Sequence, residues 1–114
     1  MRRVILESPY QGGLFRRWLH VRFARACLRD CLMRGEAPIA SHLLYTQRGV
    51  LRDDVEEERK LGIDAGHAWI ASADAMVVYI PSRGVVSPGM NIGIAKARAI
   101  GIPVEFRRLE EVRP

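Results

Sequence analysis

The chain has 114 residues, enough for one domain with a modest core. A hydrophobic fraction of 48% excludes a disordered polymer, and the longest apolar runs are far too short to span a membrane. The net charge of +5 comes almost wholly from arginine, much of it early at Arg16, Arg17, Arg22, Arg25 and Arg29. No recognition-helix, zinc-finger or base-stacking pattern accompanies that cluster. It therefore reads as a solvated helix face or a lure for small phosphorylated ligands, and nucleic acid is not an expected partner. Met1-Arg2-Arg3 leads directly into a strand-like run without a secretory apolar region, so the expected location is the cytoplasm.

In chain order, Val4–Glu7 is a short apolar run that predicts a first buried strand. Ser8–Gly13 follows as a loop punctuated by Pro9 and the Gly12-Gly13 pair. From Leu14 to Arg34 the apolar residues recur at three and four, which predicts a helix stopped by Gly35. Cys27 and Cys31 share a face of that helix and are poorly placed for a structural disulfide. A reducing compartment fits them, and no second Cys or His cluster completes a metal site, so neither metal nor cofactor is expected.

Ala37–Tyr45 reads as the second strand. Asp53 and Asp54, followed by Glu56, Glu57 and Glu58, predict a helix start, because carboxylates favour the positive end of the helix dipole. Gly62 is read as its end, with a short helix over His67–Ser72 packing Trp69 and Ile70 inward. Ala75–Ile80 is the third strand, Met90–Ile100 the last helix and Pro103–Phe106 the fourth strand. This alternation predicts one doubly wound α/β domain over residues 1–114, flavodoxin- or Rossmann-like, with a parallel sheet of four to five strands and helices on both faces.

Three loops should meet at the carboxyl edge of such a sheet. The first offers Ser8, Tyr10 and Gln11 as hydrogen-bonding groups, with Gly12 and Gly13 permitting close backbone approach. The second lies around Ser41, His42, Tyr45, Thr46 and Gln47. The third is Ser82–Asn91, where Ser87 is placed to cap the last helix and leave N–H groups facing an anion. Together they predict a nucleotide-sized pocket. Glu36 and Glu7 are the candidate acid/base groups; an arginine partner for Glu36 and a structural role for His42 are the alternative readings. Asp74, just ahead of a strand, reads as fixing local backbone.

The order Glu7-Ser-Pro-Tyr-Gln-Gly-Gly13, Ala73-Asp-Ala-Met-Val-Val-Tyr79 and Ser87-Pro-Gly-Met-Asn-Ile-Gly-Ile-Ala95 resembles the nucleoside 2-deoxyribosyltransferase superfamily, which includes deoxynucleoside-monophosphate N-glycosidases. Arg34-Gly-Glu-Ala-Pro-Ile-Ala-Ser-His-Leu-Leu-Tyr-Thr-Gln47 resembles the hallmark of a small phage and bacterial branch. The resemblance implies a flavodoxin-like sheet that binds a nucleoside or nucleotide and pairs into homodimers or larger homo-oligomers. It also implies cleavage of an N-glycosidic bond by a glutamate at the start of the last helix, through a covalent glycosyl intermediate. That position holds Asn91 here, and an amide cannot form that intermediate. The family's aspartate ahead of the third strand falls near Gly66, with Asp64 the nearest substitute.

Two expectations follow. In one, the protein is an N-glycoside hydrolase or deoxyribosyltransferase with Glu36, Glu7 or Asn91 in the catalytic positions. Ser8, Tyr10, Gly12, Gly13, His42, Tyr45, Ser87 and Gly89 then bind the substrate. In the other, it is an inactive binder that senses or sequesters a nucleotide-derived small molecule.

Overall fold

The computed structural model describes residues 1–10, 14–81 and 84–109. Gln11, Gly12, Gly13 and Ser82, all read above as loop residues of the site, lie outside them. Four strands, β1 (Arg2–Glu7), β2 (Glu36–Ile39), β3 (Ala75–Pro81) and β4 (Val104–Leu109), form one parallel sheet in the order β2-β1-β3-β4. The chain leaves β1 to one side for β2 and to the other for β3. The carboxyl ends of β1 and β3 therefore flank a topological switch point, where open α/β sheets leave a crevice.

The helices are α1 (Leu14–Met33), α2 (Ser41–Tyr45), α3 (Glu56–Ala68) and α4 (Pro88–Ile100), with a 3-10 turn at Ile70–Ser72. Alternation along the strands divides the core into two layers. Val4, Leu6, Val77 and Tyr79 face α1 and pack on Phe23, Cys27 and Cys31. Ile5, Met76, Val78 and Ile80 face the other way, onto Ile70 and the Met90, Ile94 and Ala97 stripe of α4. The expected helices on both faces are thus present. Both cysteines are buried free thiols, their pKa values pushed up by burial. Among the described residues, no helix is long and apolar enough to cross a membrane.

The middle of the chain departs from its sequence reading. The strand expected over Ala37–Tyr45 ends at Ile39, and His42 sits in a helix. Leu43 and Leu44 both donate their N–H groups to the Ala40 carbonyl, and the Thr46 hydroxyl caps the His42 carbonyl, so the backbone closes into a turn. Gly62 does not end α3, which continues to Ala68. It is a packing glycine: a Cβ there would lie 3.1 Å from Leu51, and one at Gly66 only 2.5 Å from Ser41 Oγ. Of the pair expected inside, Ile70 is buried, whereas Trp69 is about half exposed with its indole N–H donated to Tyr45 Oη at 2.8 Å.

One charged network lies inside the domain, beneath the carboxyl-terminal half of α1. Arg107 on β4 donates two hydrogen bonds to Glu36, at 2.8 and 2.7 Å, and one to Tyr79 Oη at 3.0 Å. Arg2 adds a third bond to Glu36 at 3.3 Å, and Tyr79 donates to Asp30 at 2.6 Å. The Arg107 guanidinium holds the Glu36 carboxyl below the ordinary range. Asp74, in turn, accepts the Arg3 backbone N–H at 2.7 Å and fixes the approach of β3 to β1, as read from the sequence.

Glu36 and Arg107 side chains are only 8% and 11% exposed, so Glu36→Ala leaves a buried guanidinium with Tyr79 and the more exposed Glu105 as its remaining oxygen partners. The expected loss is about 3 kcal/mol of folding stability, read by urea denaturation. Any chemistry at the switch point should be unchanged in the folded variant, which separates a structural glutamate from a catalytic one.

Candidate functional site

A cavity of about 660 Å³ opens at the switch point, within the range of sites for nucleotide-sized ligands. Its walls come from the end of β1 and the following loop, α2, the inner faces of α1 and α3, and the segment entering α4. Of the residues expected in the site, Glu7, Ser8, Tyr10, His42, Tyr45, Ser87 and Gly89 all line it. They come from three separate segments at the carboxyl ends of β1, β2 and β3, as the alternation of strands and helices demanded.

Glu7 ends β1 and turns toward α4. Its Oε2 would be 2.6 Å from a Cβ on Gly93, so the absence of a side chain at 93 makes room for this carboxyl. Among the described residues no cation or hydrogen-bond donor compensates it. Burial alone drives its pKa up to about 8, and it carries a proton at neutral pH. Strand alternation turns the next residue the other way. Ser8 is buried, and its Oγ lies 3.1 Å from His42 Nε2 on α2. Burial, with a smaller contribution from nearby His20, lowers the His42 pKa to about 4, which keeps the ring neutral. Tyr10 packs edge-on against that ring, centroids 5.3 Å apart, beneath the Arg17 guanidinium.

Ser87 caps α4, accepting the Met90 N–H at 3.3 Å, and Pro88 occupies the first turn where its missing N–H costs nothing. The helix start that the sequence predicted is therefore real, though it opens two residues earlier. Tyr45 contributes a hydroxyl already held by Trp69.

Three expected residues are placed elsewhere. Glu36 belongs to the Arg107 network at the amino end of β2, not to the cavity. Asn91 is exposed on α4 and is not among the lining residues, because the inward stripe of that helix is Met90, Gly93, Ile94 and Ala97. Asp64 is exposed and paired with Lys60 at 3.3 Å.

The α3 wall was not anticipated, and of the early arginine cluster only Arg16 lines the cavity. Arg16 and His20 present one stripe of α1; Arg59, Ile63 and His67 present one stripe of α3. Spacing of four places each set on one helix face. That periodicity is visible in the sequence once α3 is allowed to run through Gly62 and Gly66. Asp53 also lines the cavity but is bound to Arg17 at 2.9 Å, and Glu58 accepts the Arg52 backbone N–H at 3.0 Å. Arg16 and Arg59 form no ion pair among the described residues, and the buried Nδ1 atoms of His20 and His67 have no hydrogen-bond partner there. The described residues include no cluster suited to a metal ion.

A parallel sheet in this order, with a cavity at its switch point, defines a flavodoxin-like α/β domain. The fold is similar to a 2-deoxyribosyltransferase from Bacillus psychrosaccharolyticus, with TM-score 0.65 and 19% identity over 98% of this chain and 77% of that one. A CMP N-glycosidase from Clostridium botulinum, BcmB, aligns with TM-score 0.48 and 19% identity over 96% of this chain and 71% of that one. Residues 2–107 match the family described as a domain of unknown function, DUF7768, and the chain belongs to that family. No curated protein matches the sequence.

The pKa of Glu7 fixes a sign for the pH dependence of stability. Below about pH 4.5 the carboxyl is protonated folded and unfolded alike. Between there and about pH 8 only the unfolded chain gives up the proton. Across that window Glu7 should reduce stability by about 1.4 kcal/mol for each pH unit of increase. Glu7→Gln should remove that slope, and urea denaturation of both proteins at several pH values measures it.

Proposed function

We propose that the chain binds a nucleoside or nucleotide in the switch-point cavity and cleaves its N-glycosidic bond, with Glu7 as proton donor to the departing base. The observation that carries this reading is a desolvated, protonated carboxyl set against Gly93 on the wall of a nucleotide-sized cavity at the switch point. A nucleobase is a poor leaving group as an anion, and a proton delivered during bond breaking removes that obstacle. General acid catalysis of this kind contributes roughly 10²- to 10⁴-fold. A donor with pKa near 8 keeps its proton at neutral pH and remains acidic enough to give it up.

The likeness in fold to a 2-deoxyribosyltransferase supports the reaction class by analogy only, because chemistry resides in the site. The residues of this site argue for hydrolysis over transfer through a covalent intermediate. Asn91 supplies no nucleophile, and Glu7, protonated, is a weak one. Arg16 and Arg59 would meet a phosphate, with the orphaned His20 and His67 nitrogens available to further polar atoms of the ligand. Gly93 would keep the Glu7 carboxyl in place against α4.

The test is incubation of the protein with the common ribo- and deoxyribonucleosides and their 5'-monophosphates, followed by chromatography of free and protein-bound fractions. Free base is the expected product, and Glu7→Gln should lower its release by about 10²-fold or more while ligand retention persists. The rate should fall above about pH 8, where Glu7 loses its proton. An intact compound held by the protein, with no base released, would instead make this a binding protein.

A further inference from the structure

We infer that Ser8 and His42 form the proton-accepting arm of the site, activating water against the face of the sugar opposite the departing base, so that cleavage inverts the anomeric carbon. This rests on the cleavage reaction proposed above and adds to it the second half of an acid–base pair.

Consecutive residues at the end of β1 point to opposite sides of the strand. Glu7 lies against Gly93 of α4, and Ser8 lies against His42 of α2. Both line the same cavity. A glycoside laid across the end of β1 would therefore meet a protonated acid on one side and a hydroxyl–imidazole pair on the other. Two groups flanking a scissile bond, with room for water beside one of them, is the arrangement of inverting glycoside hydrolysis. The covalent, retaining route needs a carboxylate poised to attack, and the exposed amide of Asn91 is not one.

The pair is built for proton acceptance. His42 is kept neutral by burial, so its lone pair is available at neutral pH. Tyr10 holds the ring from the side, and the Ser8 hydroxyl is within hydrogen-bond reach of Nε2 at 3.1 Å. With the proton of the ring on Nδ1, Nε2 accepts from Ser8.

The step balances as follows. The water oxygen bonds to the anomeric carbon while the C–N bond breaks, its electron pair leaving with the base. The base takes the proton of Glu7. One proton of the water passes to Ser8 Oγ as the Ser8 hydroxyl proton moves to His42 Nε2. Solvent then returns that proton from His42 to the Glu7 carboxylate, and the net reaction is glycoside plus water to free base and sugar.

The test uses the full chain and the β-2'-deoxynucleoside 5'-monophosphates in water containing methanol, which traps the sugar as a methyl glycoside whose anomer is read by NMR. The expected product is the α-methyl glycoside. His42→Gln should lower kcat about 10²-fold or more with KM unchanged, and Ser8→Ala, a smaller change to the fold, should do the same. A β-methyl glycoside, or wild-type kcat in both variants, overturns this inference and leaves cleavage by Glu7 standing. Failure of the wild-type chain to release base from any of these nucleotides overturns both.

Discussion

Everything at the site depends on where β1 stops. For three residues the strand is core, with Val4 and Leu6 packed under α1 and Ile5 packed under α4. The same alternation then runs on past the apolar stretch and delivers Glu7 to one layer and Ser8 to the other. The packing that fixes the strand therefore also fixes the directions of the two polar side chains. A one-residue shift in the register of β1 against β3 would exchange the layers and bury the wrong faces. The site inherits its geometry from a hydrophobic constraint.

Glu36 and Glu7 are both withdrawn from water, and the domain treats them in opposite ways. Glu36 is surrounded by guanidinium groups and remains charged, closing a network that joins β1, β2 and β4 beneath α1. Glu7 is desolvated beside a glycine, with no compensating cation among the described residues, and it keeps its proton. The first arrangement stabilises through paired charges. The second costs stability as pH rises, as uncompensated carboxyls withdrawn from water do.

The strands, their order of appearance, α1 and the Ser87 cap of α4 were legible because each rests on local pattern: apolar runs bounded by Gly or Pro, three-four periodicity, a polar residue before a helix. The Glu36–Arg107 pair was not, because it joins residues 71 positions apart, and the sequence offers sixteen arginines as possible partners. Glu7 was legible as a carboxylate at a strand end, but its protonation depends on the contact with Gly93, which only the packing of α4 creates. The region from Ala37 to Ala68 misled for a specific reason. His42 to Tyr45 is apolar enough for a strand, and Gly62 looks like a helix stop. Both features instead serve the close docking of α2 on α3, where Gly66 meets Ser41. The arginine and histidine stripes on α1 and α3 became readable only with that docking in place.

α2 has no fully buried residue, and polar bonds do much to hold it: Ser8 to His42, Trp69 to Tyr45, and Thr46 to the carbonyl of its own first turn. Its partly buried Leu43 touches the core beneath α1, but the other apolar side chain of its length, Leu44, faces solvent. An element anchored this lightly detaches for less free energy than the sheet needs to unfold. The wall of the cavity can therefore open while the remainder of the domain stays native. Occupancy of the cavity would then show itself as slower amide exchange in α2 and the facing turns of α3.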